Sequence, residues 1–572
     1  MSIWDIIDKL NSGLEFDNSK PDTKSISLEH YTKRKNCNGL EFIICKKGIK
    51  VGIYYLKDLG IYDKLVKHFT LKIDTITGYV KKIPVYIKIN NMIVFPRFGM
   101  LDYIDANYKN VKITNFIKSG NKPSVPFEWT GSFTNNQPII ANHIMTNYYN
   151  KKNAESGRSG VIVNLEAGQG KSFLAAGLIE KLKRRTLIIC HNTTIMFQWI
   201  KLLKSGYPKN KIACYYGIKK EWGDIVVGII DSLLMEKMYI VDENGKKLVS
   251  PKEFYLNFGF VIFDEVHEYS GNKRKSIYNK LQCMYMMGLS ATPDEKDFGI
   301  DNVNTWNCGN ILLCDKLEGY SVDDIPFKGK VTKMAYVGHP EYTKTILNEA
   351  TGIISHSSMV SNMCLDPYRI FMIIKIIHEL LGKGKNIFIF ADRRGYLTSI
   401  QNMLKVFSLK TIELLNMKDH DSIMTLMGGS SSDDIEIAKN KSNIILTTYQ
   451  FMGTGVSIPK MDSIILATPR KKKSKQYVNR IFRLGSDYES IREIIDVVDM
   501  STHMKSQWYM RKKYYDSKMY NIETKKIKYQ NLEPEMLESG ILIKDDTIKN
   551  TDELSKPIDE LKRIMERNNI YI

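Results

Sequence analysis

Short, mainly apolar runs recur along the middle of the chain, at Val161–Leu165, Arg185–Cys190, Asp224–Asp231 and Phe260–Phe263, and polar turns or stretches of helical spacing separate them. Runs of this kind mark strands buried on both faces, and their alternation with helices predicts the parallel sheet of an α/β domain. The pattern returns further on. Ile370–Leu381 has a helical period, and Asn386–Phe390 and Asn443–Thr447 are again buried-strand runs, which predicts a second α/β domain. Ahead of both, residues 1–125 alternate short β-like runs with turn residues, as in Tyr79–Phe98, and predict a separate β-rich accessory domain. The expected organisation is 1–125 accessory domain, 126–300 first lobe, 301–365 connection, 366–500 second lobe and 501–572 a helical, basic C-terminal extension. The connection, with some structure of its own, is assigned because its Gly, Asp and Ser clusters show no strong period.

Composition sharpens this picture. At 572 residues the chain is too long for one core. No apolar run approaches the roughly 18 residues of a membrane span, and the acids within MSIWDIIDKL speak against a secretory signal. A formal net charge of +20 favours a polyanionic partner, nucleic acid before others, through release of condensed counterions. The eight cysteines are scattered without a C-x-x-C spacing, which argues against a zinc site and fits a reducing, intracellular compartment.

The chemistry concentrates where strands end. Val161–Ile179 reads VIVNLEAGQGKSFLAAGLI, an apolar strand that stops at Ala167, Gly168, Gln169 and Gly170 before a helix opens at Lys171 and Ser172. Glycines there let backbone N–H groups close on phosphate oxygens, the lysine reaches β- and γ-phosphates, and the serine hydroxyl can join Mg²⁺. Leu165 stands where the strict pattern has glycine. The Phe260–Phe263 run ends in Asp264-Glu265-Val266-His267. Asp264 can hold Mg²⁺ through water, and Glu265 can orient and deprotonate a water that attacks a γ-phosphate. Gln137, ahead of the loop strand, can meet an adenine edge or simply lie at the surface. The stretch HNTTIMFQW, from His191 to Trp199, either presents donors to a nucleic-acid backbone or caps a helix through Asn192 and Thr193. No phosphate loop follows any strand of the second lobe, which is therefore expected to complete the first lobe's site. Gln476, Arg480 and Arg483 are spaced to share one helix face, where arginine would stabilise charge on a transferring phosphoryl group. The basic stretches Arg470–Lys475 and Arg511–Lys513 read either as phosphate contacts or as solvated surface.

The order of phosphate loop, Asp264-Glu265-Val266-His267, Ser290-Ala291-Thr292 and Gln476-x-x-x-Arg480-x-x-Arg483 resembles superfamily 2 helicases over residues 127–500. Val94–Gly99 and the Ile188–Trp199 stretch are similar to poxvirus-type transcript-release DNA helicases of large cytoplasmic DNA viruses. The resemblance implies two RecA-like lobes in tandem and hydrolysis of ATP with Mg²⁺, with DNA or a DNA–RNA hybrid favoured over RNA. It further implies that Ser290, Ala291 and Thr292 couple hydrolysis to movement, and that Gly453 and Gly455 touch both nucleic acid and the nucleotide cleft. Ser457 and Asn479 depart from the family, where many relatives carry an acid and a glycine. If the chain is viral, the implied setting is host cytoplasm and virion, with viral RNA polymerase or transcription factors as partners and no membrane. An RNA helicase would share these motifs. So would the motor subunit of a restriction-type nuclease, although no metal-carboxylate nuclease motif is evident.

Overall fold

The computed structural model describes residues 41–74, 80–108, 111–166, 168–235, 240–241, 247–249, 251–271, 273–293, 299–321, 328–406, 422–452, 458–470, 474–482 and 490–538. The chain divides into two compact units, 1–324 and 325–572.

In the first unit, strands Glu41–Cys45, Gly48–Gly52, Ile87–Ile89, Met92–Phe95 and Lys112–Asn115 form a five-stranded sheet. It is antiparallel except where Glu41–Cys45 runs parallel to Lys112–Asn115. Helices Ile53–Asp58, Tyr62–His68 and Arg97–Asn107 accompany it. The Val94–Gly99 stretch is where this sheet meets the neighbouring α/β domain. Pro96 caps the Arg97–Asn107 helix, and Arg97 Nη1 donates to the carbonyl of Cys283 at 2.8 Å. Gly99 sits against Trp306, so close that a Cβ would lie 2.5 Å from the indole ring. Only a glycine permits that approach between the Arg97–Asn107 and Asn302–Cys308 helices.

The α/β part of this unit is an eight-stranded sheet. Across it lie Lys219–Lys220, Ile212–Tyr216, Ile225–Ile229, Thr186–Cys190, Phe260–Asp264, Tyr285–Ser290, Gly160–Asn164 and Asn310–Leu313. All pairings but that of Lys219–Lys220 are parallel. Every residue of Thr186–Cys190, Ile225–Ile229 and Phe260–Asp264 is buried, because helices cover both faces and leave no polar side to alternate. The loop strand Gly160–Asn164 lies beside Tyr285–Ser290, which in turn lies beside Phe260–Asp264, so three strand ends carrying motif residues emerge together.

The second unit holds a seven-stranded, fully parallel sheet in the order Ile423–Leu426, Ile444–Thr448, Ile387–Ala391, Ser463–Leu466, Arg492–Asp499, Gly329–Val337 and Asn521–Lys528. Helix Pro367–Gly382 packs on it with Ile370, Phe371, Ile373, Ile374, Ile377 and Leu380 buried. It begins where the Asp366 carboxylate accepts from the N–H groups of Tyr368 and Arg369, a cap worth about 1 kcal/mol.

The stretch expected to be a connection carries structure belonging to both units. Asn310–Leu313 is the edge strand beside the loop strand, and Gly329–Val337 is an interior strand of the second sheet. The two neighbours of Gly329–Val337 come from beyond residue 490, so nothing local announces its pairing. After residue 500, helices Ser506–Ser517 and Tyr529–Glu538 are joined by one more edge strand, Asn521–Lys528. Among the described residues, no helix is long and apolar enough to cross a membrane.

Candidate active site

Gly170 takes a left-handed conformation, φ 75° and ψ 33°, and the helix Lys171–Leu182 starts from it. A side chain there would be strained, and its Cβ would lie 2.3 Å from Gln137 Nε2. Gln137 is the first residue of helix Gln137–Asn147 and is buried. Its Oε1 accepts from Thr134 N at 3.1 Å, and its Nε2 reaches the Gly170 carbonyl at 3.4 Å. The segment leading to it, Phe127–Thr134, crosses the loop helix. Trp129 N donates to Glu180, and the Trp129 ring meets Phe173 edge-on at 5.1 Å.

Lys171 is buried and folds back over its own loop, with Nζ donating to the carbonyls of Leu165 at 2.9 Å and Glu166 at 3.3 Å. An ammonium held by carbonyls in this way is pre-placed for phosphate oxygens, which would replace weaker acceptors. Ser172 follows on the first turn, half-buried. Gln169 is held from the far end of the unit, where Tyr320 donates its hydroxyl to Gln169 Oε1 at 3.1 Å.

Asp264 closes its strand with the carboxylate buried. Oδ2 accepts from the Trp199 indole at 2.8 Å and Oδ1 from Glu265 N at 3.0 Å. Burial, with the Glu265 charge beside it, pushes the Asp264 carboxyl up to about 6, while Trp199 and Lys171 pull the other way. A buried carboxylate so destabilised suits a divalent cation, since an added positive charge relieves the desolvation cost.

Glu265 turns sharply out of the strand at φ 51° and ψ 58°, a left-handed conformation that costs a non-glycine residue on the order of 1–3 kcal/mol. The turn separates the two acids. Asp264 stays inward, while Glu265 is about a quarter exposed and lies 3.4 Å from His267 Nδ1. The same His267 nitrogen lies 2.9 Å from Ser290 Oγ, and Ser290 Oγ also accepts from Thr292 N at 3.0 Å. The Ser290 carbonyl takes Leu165 N at 3.3 Å, back at the phosphate loop. Loop, Asp264–His267 and Ser290–Thr292, with Ala291 between, are thus one hydrogen-bonded assembly on three adjacent strand ends.

Within His191–Trp199, Asn192 takes the cap role expected of it. Asn192 Oδ1 accepts from Ile195 N at 2.9 Å and opens helix Thr193–Gly206. What sequence reasoning missed is the bond from the buried Trp199 indole to Asp264. A buried indole needs an acceptor for its N–H, and that was the available signal.

The second unit departs from the expected single helix face. The helix covers only Ser474–Val478, and Arg480 lies beyond it in tight turns with Arg480 N on Tyr477 O and Phe482 N on Asn479 O. Asn479 and Arg480 are buried along with Tyr477, Val478, Ile481 and Phe482, so the segment has no solvated face, and the Tyr514 hydroxyl donates to Asn479 Oδ1. Arg480 itself is buried and Gln476 half-buried. Ala167, Gly453, Gly455, Ser457, Arg483 and Lys471 to Lys473 lie outside the described residues.

Within Arg511–Lys513 the expectation fails for Arg511, which is neither a phosphate contact nor solvated surface. Arg511 is a core residue, with Nε and Nη2 on the Asp496 carboxylate at 2.7 and 2.8 Å and Nη1 on the Arg470 carbonyl. Arg470 pairs with Asp392 at 2.9 Å, and Lys512 pairs with Asp516 one turn on. Those carboxylates were remote or unremarkable in sequence.

Residues 132–295 match the family described as type III restriction enzyme, res subunit. Over 389 residues the chain is 30% identical to an inferred ATP-dependent RNA helicase of African swine fever virus, covering 64% of this chain and 70% of that protein. An inferred ATP-dependent RNA helicase of Acanthamoeba polyphaga mimivirus is 28% identical over 78% of this chain and 79% of its own length. A transcript termination protein of Yaba-like disease virus is 22% identical over 67% and 76%. With its phosphate loop, paired acids and Ser290–Thr292 exit on adjacent strands, and with these homologues in large DNA viruses, the chain belongs to the superfamily 2 helicases.

Proposed function

We propose that this helicase is a DNA-directed translocase, working on duplex DNA or a DNA–RNA hybrid, and that it acts in transcript release during viral transcription. The observation that carries the ATP-hydrolysing part is the joining of Lys171, Asp264, Glu265 and Ser290 at the ends of three neighbouring strands. Lys171 would leave its loop carbonyls for the β- and γ-phosphates, with the Gly168 to Ser172 backbone around them. Gln137 retains one amide N–H and one Oε1 lone pair for an adenine edge. Ser172 and Asp264 would hold Mg²⁺, which would supply neutralisation of phosphate charge. Glu265 takes the proton of the attacking water, and its partly exposed, turned-out carboxylate suits that role better than the buried Asp264.

Arg480 and Arg483 would add positive charge to the transition state on lobe closure, with Gln476, Gly453 and Gly455 relaying closure to nucleic acid. The Ser290–His267 hydrogen bond is the route by which loss of the γ-phosphate would be felt at Thr292. Tracking needs phosphate contacts alone, because no base identity is read.

Preference for DNA rests on the likeness to a transcript termination protein, and two homologues named for RNA favour the other reading. The test is ATP turnover measured with single-stranded DNA, duplex DNA, RNA and hybrid in turn. Stimulation by RNA alone would make this an RNA helicase and remove the transcript-release role. Co-purification with viral RNA polymerase from infected cytoplasm and from virions tests the partner and the location.

A further inference from the structure

A cavity of about 720 Å³ opens at the end of the second sheet opposite the strand ends where α/β folds place their nucleotide sites. Lys385 leads into strand Ile387–Ala391, Lys460 and Asp462 lead into Ser463–Leu466, and Lys439 ends the helix before Ile444–Thr448. Lys383 and Arg492 complete its basic lining, so five cations face one carboxylate, Asp462, among the described residues.

Some of these charges have ordinary duties. Lys385 Nζ donates to Ser490 Oγ and Ile491 O, both at 2.8 Å, and lies 3.6 Å from Asp462. Lys383 is matched by Glu379 at 3.1 Å and Glu493 at 3.5 Å. A lysine at a helix C-terminus also answers the helix dipole, which accounts for Lys383 and Lys439 singly. It does not account for Lys460, which precedes a strand, nor for the convergence of separate segments on one concave space. Neither Lys439 nor Lys460 has a carboxylate partner among the described residues. Burial holds the Lys460 ammonium below its usual value, and no carboxylate offsets that cost. No aromatic side chain lines the cavity among the described residues, so bases would find nothing to stack on.

We propose that this cavity is an anion site for clustered phosphate groups, gripped by Lys439 and Lys460 and separate from the ATP site. The same chemistry is offered by a nucleic-acid backbone and by a free polyphosphate, and the proposal stands whichever substrate the helicase tracks.

The test uses the full-length protein without nucleotide. Acetylation by an amine-reactive ester is followed by peptide mass spectrometry, with the exposed Lys151 as internal reference. Inorganic tripolyphosphate is expected to slow acetylation of Lys439 and Lys460 several-fold relative to Lys151. Lys439→Gln, at an exposed position that leaves the core intact, and Lys439→Gln with Lys460→Gln are then titrated with labelled duplex DNA at several salt concentrations. If backbone phosphates are the source, the slope of log affinity against log salt falls by about 0.7 to 0.9 per lysine removed. Protection by tripolyphosphate with an unchanged slope assigns the site to a small polyphosphate. Absence of protection at both lysines overturns the site. That result leaves the helicase reading untouched, because ATP turnover stimulated by nucleic acid is measured separately.

Discussion

The indole N–H of Trp199 donates to Oδ2 of Asp264 at 2.8 Å, joining a helix that follows one strand to the acid that ends the next. Both side chains are buried, so the bond is unscreened and helps hold the Asp264 carboxylate in one orientation. Trp199→Phe keeps an aromatic ring, though a smaller one, and removes the donor. It should cost about 1–3 kcal/mol of stability and raise the Mg²⁺ concentration needed for half-maximal ATP turnover. Thermal melts and a Mg²⁺ titration measure the two effects, and an unchanged Mg²⁺ requirement would reduce Trp199 to packing.

Asp264→Asn should trade stability against function. The carboxyl is raised to about 6 from an unfolded value near 3.9, so its charge destabilises the ligand-free fold fully above pH 6. The penalty fades as pH falls from 6 toward 4, where the folded protein takes up a proton. Asn should therefore raise the melting temperature at neutral pH, by roughly 1–3 kcal/mol of stability, and gain little near pH 4. ATP turnover should be lost. A melting temperature below wild type at pH 7.5 would contradict this account of the buried charge.

Lys171→Ala should abolish turnover together with nucleotide binding, since the ammonium already faces the loop interior. Glu265→Gln should bind a fluorescent ATP analogue normally and fail to hydrolyse ATP. Equal loss of binding in both would show that the two residues do not divide the work in this way.

Ser290→Ala removes the hydroxyl shared by His267 and Thr292 at a cost of about 0.5–1.5 kcal/mol. ATP turnover should stay within a few-fold of wild type while strand displacement falls steeply. Parallel loss of both activities would place Ser290 in hydrolysis, not in coupling.

Arg480→Ala should lower turnover by about 10³-fold if this arginine meets the transferring phosphoryl group. Because Arg480 is buried, Arg480→Lys serves as the folding control, with circular dichroism and ATP binding near wild type and turnover still low. Near-normal turnover in the lysine variant would confine Arg480 to the core of the second unit.

The sequence by itself determined the elements whose signals are local. Phe260–Phe263 had to be a strand covered on both faces because its neighbours in sequence are all apolar. Gly170 before Lys171 had to be a tight turn into a helix, because glycine alone accepts that backbone cheaply. The order of those motifs was enough to name the family. What only tertiary structure decided were relations between residues far apart in the chain. Gly329–Val337 reads as connecting chain until strands from beyond residue 490 flank it. Arg511 reads as a surface cation until Asp496 meets it in the core, and Arg480 reads as one face of a helix until the whole of Tyr477 to Phe482 is buried around it. Trp199 and Asp264 meet only because two strands lie side by side. Periodicity records which face of an element is apolar, whereas a charge or a polar tip is defined by its partner, and partners are chosen by packing.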